Sequence, residues 1–253
     1  MFTCCALIPV YNHSQKIASV VEELLALDLS IYLLDDGSDA ACAQVLQKVA
    51  SRHSSVTLLR WDVNRGKGAV VCDGLEKAFD DGFSHALQID ADGQHDILDV
   101  PNMLSAAQKM PKAVVSAWRL YEEMPTGRRR GRMLTDVWVW INTLSLSIKD
   151  SMCGFRIYPL AQTKQLLDKG AIGRRMDFDT DILVRLYWQG AEVTHVESKI
   201  LYHDDIPSHF DLLRDNVRIS WMHTKLFFGM LLRSPRLITR NIRKRFAKDV
   251  TYA

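Results

Sequence analysis

At 253 residues and 47% apolar, the chain holds enough material for one large α/β domain with an appendage, and its five cysteines show no paired spacing for zinc or a disulfide framework. A net charge of only +2 argues against a general nucleic-acid binder, and no apolar run approaches the roughly 18 residues that a membrane-spanning helix needs. With no cleavable leader ahead of the first strand, a cytoplasmic setting is expected.

In chain order, residues 4–10 form a short β-prone run closed by Pro9 and the turn-prone Asn12-His13-Ser14. Ile17, Val20, Val21, Leu24 and Leu25 then recur at helical spacing. A second strand over 31–34 ends in Asp35-Asp36-Gly37-Ser38, where Ser38 or Asp39 is placed to cap a helix through Ala41, Val45 and Val49. After a strand at 56–60, Asn64-Arg65-Gly66-Lys67-Gly68 opens a helix over 69–79, and the next strand runs into Ile89-Asp90-Ala91-Asp92. Such alternation predicts a mostly parallel sheet with crossover helices and a ligand site at the carboxyl ends of the strands. Farther on, the pattern predicts a helix over 101–109, a strand over 113–117, a basic loop over 119–132, a helix over 133–148 and a return strand over 154–158. It closes with a helix over 177–188, a strand over 192–202 and one long helix over 210–232 that Pro235 ends. The boundary falls near Ile206, giving a domain of 1–205 and a C-terminal amphipathic helix with a basic tail, 206–253.

Asp90 and Asp92 are two residues apart on an extended segment, so their carboxylates point to one side where the strand stops. Two hard oxygen ligands suit Mg2+ or Mn2+, cations that keep waters and accept diphosphate oxygens. The plain alternative is a turn in which Asp supplies local hydrogen bonds and Gly93 the unusual dihedral. Gly66-Lys67-Gly68 at a helix start offers backbone N–H groups and a cation to an anion, without the Walker spacing. Arg119, Arg128 to Arg130, Arg132 and Arg156 supply guanidinium groups that bind phosphate through paired donors, although a solvated basic loop explains most of 128–132 equally well. From Arg233 onward seven Lys or Arg stand against one acid, Asp249, directly after an apolar stretch, a pairing that points to a membrane surface.

Taken together, Ile8-Pro9-Val10-Tyr11-Asn12, Asp35-Asp36-Gly37-Ser38, Asn64-Arg65-Gly66-Lys67-Gly68 and Asp90-Ala91-Asp92 resemble the ordered motifs of family 2 glycosyltransferases with the GT-A fold, over about residues 4–205. Within that family the chain most resembles the dolichyl- and polyprenyl-phosphate sugar synthases, through Gln94 after Asp92 and through Asp150-Ser151-Met152-Cys153-Gly154-Phe155-Arg156. The resemblance implies a Rossmann-like nucleotide-sugar-binding domain in which Pro9, Tyr11, Asn12 and Asp36 hold base and ribose and Lys67 meets the donor's phosphates or sugar. It further implies that Asp90, Asp92 and Gln94 hold the metal, with His95 capping the turn, and that Arg119 and Arg156 face the acceptor. Asp179 takes the place of the family's catalytic base, but Phe178 stands where that pattern has Glu, a departure that fits a phosphate acceptor, which needs no base. Residues 202–210, with His203 and His209, resemble a loop that closes over the donor.

The implied activity is inverting, metal-dependent transfer of a hexosyl group from a UDP- or GDP-linked sugar to a lipid or polyprenyl-phosphate acceptor, by a peripheral protein at the inner membrane face. The rival readings are a nucleotidyltransferase acting on sugar phosphates, which lacks its glycine-rich signature here, and a degenerate glycosyltransferase-like binding module. Retention of both Asp90 and Asp92 speaks against the second.

Overall fold

Buried β-prone runs alternate with amphipathic helices in the first half of the chain, and a sheet built this way must be covered on both faces. The computed structural model describes residues 1–119, 126–170, 172–199 and 211–251. β1 (Cys4–Val10), β2 (Ser30–Asp35), β3 (Val56–Arg60) and β4 (His85–Gln88) are followed in turn by α1 (Ile17–Leu25), α2 (Ala40–Arg52), α3 (Lys67–Asp80) and α4 (Val100–Lys109). With β5 (Ala113–Arg119), β6 (Arg156–Pro159) and β7 (Glu192–Ser198) they form one sheet in the order β3-β2-β1-β4-β6-β5-β7. Every neighbouring pair is parallel except those of β6, which runs against β4 and β5 and sets Arg156 opposite Gln88.

Each face of the sheet has its own core. Ile17, Val21 and Leu24 of α1, Leu46 of α2 and Met103 of α4 cover one side. Val70, Val71 and Leu75 of α3 cover the other, together with α5 (Thr126–Thr143), α6 (Leu160–Leu167), α7 (Phe178–Gln189) and α8 (Leu212–Thr251). The helix start after β2 follows its sequence signal, since the Asp39 carboxylate accepts from the Cys42 N–H at 2.8 Å.

Five elements differ from expectation, the last being α8, which was expected to end at Pro235 and continues to Thr251. β4 ends at Gln88, so Asp90 and Asp92 lie on the turn beyond the strand. α5 begins at Thr126, which makes the second half of the expected basic loop helical, and α6 was not anticipated because its apolar positions are few. β7 stops at Ser198, and residues 202–210, including His203 and His209, lie outside the described residues, as do the side chains of Arg128 to Arg130.

α8 runs straight through Pro235, which cannot donate to the Leu231 carbonyl four residues back. The Ser234 hydroxyl donates to that carbonyl instead, at 2.9 Å, and the next turn is pinned from outside. Arg240 donates to the carbonyls of Tyr187, Gly190 and Ala191 at and just beyond the C-terminal end of α7, and stacks on the Tyr187 ring at 4.3 Å. Tyr187 donates its hydroxyl to Asn241 at 2.7 Å, and Asn241 donates to the Leu144 carbonyl at 2.8 Å. Tertiary bonds therefore hold the helix past the residue that would end an isolated one.

Where α5 and α8 meet, His223 is buried, with its Nδ1 3.2 Å from the Asn142 amide nitrogen and its ring beside Trp138. Burial pushes its pKa down from 6.5 to about 4, so the folded protein holds the neutral ring while the unfolded chain protonates it. A depressed folded pKa means stability that is complete above pH 6.5 and is lost as pH falls toward 4, by roughly 3 kcal/mol for this one ring. In urea unfolding at pH 7.5 and 4.5, His223→Gln is expected to lose distinctly less stability on acidification than the parent. Equal losses in the two proteins would remove His223 as the cause.

Candidate active site

The carboxyl ends of the parallel strands β1, β2 and β4 share one edge of the sheet, and the antiparallel β6 begins at that same edge. Side chains from five segments meet there. At the centre, the Lys67 ammonium, on the first residue of α3, lies 2.7 Å from Asp90 Oδ1 and 3.1 Å from Asp179 Oδ2. The second oxygen of Asp179 accepts from the Gln88 amide at 2.9 Å, and its backbone carbonyl accepts from Arg156. Sequence motifs more than a hundred residues apart are thus joined through one cation.

The electrostatics are uneven. Burial opposes charge on both Lys67 and Asp90, but Asp179 and then Asp90 hold the lysine protonated well above its ordinary range, and Lys67, followed by His95, holds the Asp90 carboxyl well below its own. Asp92 moves the opposite way. Burial and then repulsion from Asp90 raise its pKa, although the Gln94 N–H donates to its Oδ1 at 3.0 Å. Asp90 and Asp92 are therefore close enough to repel, and Lys67 relieves chiefly the first.

Local devices fix this centre. Asp36 is 3% exposed and accepts from the backbone N–H groups of Arg65 at 2.6 Å and Gly66 at 2.9 Å, so it holds the loop that presents Lys67. Burial raises its pKa, against the pull of those two donors. Gly66 has φ 97°, a conformation open to glycine, and a Cβ there would meet the Arg174 carbonyl at 2.5 Å. Asn12, at φ 55°, receives the Asp39 N–H on its Oδ1 at 2.8 Å and donates its own N–H to Ser38 at 3.0 Å, tying the loops after β1 and β2 together. Pro9 and Tyr11 are half-buried beside it.

The arginines expected at an acceptor pocket are placed differently from one another and from a free phosphate clamp. Arg156 has no exposed surface; its guanidinium donates to the Asp179 and Ser151 carbonyls and to the Ser116 hydroxyl. Arg119 is buried and makes paired bonds of 2.6 and 2.7 Å to Asp150, whose carboxyl it holds low against the penalty of burial. Both brace the segment 150–156. His95, expected to cap the turn, is buried with its ring against Phe155 and its Nε2 3.8 Å from Asp90.

Sequence reasoning missed Gln88 and Tyr158. Gln88 is a fully buried polar side chain between the apolar Leu87 and Ile89, and an amide in a central strand is itself a signal, because it needs partners. Among the described residues no group of three His, Cys, Asp or Glu side chains surrounds a cation position. The donor set on the turn is two carboxylates and an amide, hard oxygens in the small number that Mg2+ or Mn2+ takes from protein when substrate and water supply the rest. Together with the closeness of the Asp90 and Asp92 carboxylates, that set fits such an ion.

Comparison with known proteins places this architecture. The profile described as Glycosyl transferase family 2 matches residues 5–174. An uncharacterized protein of Methanocaldococcus jannaschii is 25% identical over 81% of this chain and 90% of its own length. A dolichyl-phosphate beta-glucosyltransferase of Trichomonas vaginalis is 26% identical over 70% of this chain, which spans 59% of that relative. The crystal structure of glucosyl-3-phosphoglycerate synthase from Mycobacterium tuberculosis with Mn2+, UDP-glucose and phosphoglyceric acid superposes with a TM-score of 0.68 at 13% identity, covering 90% of this chain and 79% of that one. The shared fold is α/β with a mostly parallel central sheet, resembling GT-A glycosyltransferases, and a C-terminal helix is present.

Gly154 borders the centre so closely that a Cβ would lie 2.7 Å from Lys67 Nζ, 2.9 Å from Gln88 Nε2 and 3.1 Å from Asp90 Oδ2. Of these, the Lys67 and Asp90 ends are partly exposed and can shift, whereas the Gln88 amide is buried and held at both ends. Gly154→Ala is therefore expected to keep the fold, with a stability change of about 1 kcal/mol, while displacing Lys67. Comparing the crystal structure and melting temperature of the variant with those of the parent checks this; an unmoved Lys67–Asp90 pair would refute the close packing.

Proposed function

The chain belongs to glycosyl transferase family 2, and from that membership we propose an inverting, divalent-cation-dependent enzyme that transfers a hexosyl group from a UDP- or GDP-linked sugar to a polyprenyl phosphate at the cytoplasmic face of a membrane. One observation carries the reading: Asp90 and Asp92 stand together beyond the central strand β4, the first paired directly with Lys67 and the second half-buried beside it without a direct cationic partner among the described residues. Such an arrangement suits a site that completes itself with a cation and a diphosphate.

In this reading Pro9, Tyr11 and Asn12 line the base and ribose side, and Asp36 shapes the loop behind them. Asp90, Asp92 and Gln94 would hold Mg2+ or Mn2+, which when bound supplies charge compensation for the departing diphosphate. Lys67 adds a second positive charge at the same place. An acceptor phosphate is already an anion and attacks the anomeric carbon without a base, from the side opposite the leaving group, which inverts the configuration. Asp179 then serves to hold Lys67 on station and to take the proton of an acceptor that arrives singly protonated. Arg119 and Arg156 act on the acceptor side by fixing the 150–156 segment from behind.

The lipid part of the reading is supported by relatives and by surface. Relatives named as dolichyl-phosphate beta-glucosyltransferase and undecaprenyl-phosphate mannosyltransferase match 70% and 75% of this chain. No helix among the described residues is long and apolar enough to cross a membrane. Yet α5 and α8 expose Leu134, Trp138, Val217, Trp221, Phe228 and Leu232, an apolar surface of the kind that interfacial helices present, and Arg233 and Arg236 follow it.

The test is a thermal-shift screen of UDP, GDP and their sugars with Mn2+, followed by transfer to a polyprenyl phosphate. Asp92→Asn is expected to lower transfer by about a hundredfold or more, while its melting temperature stays at or slightly above that of the parent, because the substitution removes a repelled carboxylate. Full activity in a folded Asp92→Asn would overturn the mechanism.

A further inference from the structure

Asp179 enters the site on the first turn of α7, and an aspartate carboxylate turns readily about its last bond unless donors hold it. Its two oxygens are held from different directions, Oδ2 by Lys67 and Oδ1 by Gln88. The lysine belongs to a loop that any donor must approach. Gln88 belongs to the fully buried strand β4, at the register position opposite Arg156, and moves with nothing. Tyr158, two residues along β6 from Arg156 and on the same face of the sheet, donates its hydroxyl to Gln88 Oε1 at 3.2 Å.

That second bond matters for the sense of the amide. A carboxylate accepts only, so Asp179 requires the NH2 end of Gln88, and the amide oxygen must then be satisfied elsewhere in a region that water does not reach. Tyr158 does so, and burial holds its phenol protonated and thus able to donate. A leucine would fill the same space on this strand with no polar group to satisfy. The chain instead places an amide one of whose two N–H donors ends on Asp179.

We infer that Gln88 is a positioning residue: with its amide locked by Tyr158, it sets the orientation of the Asp179 carboxylate that the proposed function uses beside Lys67. The inference rests on that reading for its catalytic consequence, but not for its geometric one. Gln88→Met keeps the length of the side chain and removes both hydrogen bonds, Tyr158→Phe removes the lock together with the bond between Tyr158 and Arg156, and Gln88→Glu with Asp179→Asn exchanges acceptor and donor.

Two measurements test it. In a crystal structure of Gln88→Met, or of Tyr158→Phe should the first not fold, the Asp179 carboxylate is expected to rotate away from its place between Lys67 and position 88; an unmoved carboxylate overturns the inference whatever the enzyme's activity. With UDP-glucose, Mn2+ and a short polyprenyl phosphate, Gln88→Met is expected to lower kcat by about tenfold or more, and Tyr158→Phe by a few-fold, with KM for UDP-glucose and Mn2+ affinity by electron paramagnetic resonance both within about twofold of the parent. The exchanged pair is expected to recover the melting temperature without recovering kcat. A folded Gln88→Met with the parent's kcat would overturn the inference alone, whereas failure of the unmodified protein to transfer sugar from any donor would strike the proposed function and leave the structural measurement to decide Gln88.

Discussion

A single ammonium group between two carboxylates organises the site. Asp90 and Asp179 have side chains only 28% and 13% exposed, and two anions so placed, without a cation, would take up protons and turn apart. Lys67 sits within bonding distance of both, and at an effective dielectric of 20 each unit-charge pair is worth about 4 kcal/mol at 4 Å, enough to offset much of the desolvation of the group involved. The consequence is a site whose geometry is set before any ligand arrives. Asp92 shares in this neutralisation less: burial first and then repulsion from Asp90 keep its pKa raised, although His95 and Lys67 lower it.

Holding Lys67 in place requires the rest of the fold. Its backbone position depends on Asp36, which draws in the two N–H groups preceding it, and Asp36 itself lies just past the end of β2. Asp90 follows the neighbouring parallel strands β1 and β4, and Asp179 comes from a helix on the far side of β6 in sequence. The antiparallel sense of β6 is what closes the circle. A parallel strand at that place would bring its carboxyl end to the site, whereas β6 brings its beginning, and with it Gly154, whose missing side chain leaves room for the lysine, and Arg156, which grips the Asp179 carbonyl.

The fold was legible in the sequence wherever one apolar period dominated. The runs of β1 to β4 and the helices between them alternate cleanly, so both their type and the edge carrying the site could be read. Lys67, Asp90 and Asp179 were each identifiable from their motifs, but their common contact was not, because it joins residues distant in the chain. Asp36 and Arg156 were expected to face ligands, and the structure gives both of them backbone partners that the motifs did not reveal. A motif preserves the residue type, and an acceptor-only carboxylate or a five-donor guanidinium serves a loop as well as it serves a substrate. Gln88 escaped notice since its partners come from β6 and α7, which lie far along the chain.

The C-terminal helix shows the same limit in another form. Trp221, Met222, Leu226, Phe227, Phe228, Met230 and Leu231 read in sequence as one apolar block, yet at about 100° per residue they divide into two groups. Met222, Leu226 and Met230, with Leu237 beyond the proline, point inward and are 1%, 0%, 4% and 1% exposed, sharing a core with Leu183 and Leu186 of α7. Val217, Trp221 and Phe228 fall on the opposite side and are 66%, 62% and 62% exposed. A helix apolar on two sides needs two apolar partners. The sheet domain is the first, and the continuation through Pro235 follows from it, since Leu237, Arg240 and Asn241 extend that contact beyond the break. In the proposed function the second would be a membrane surface, and the inner contact would keep that outer face placed with respect to Lys67 and its two carboxylates.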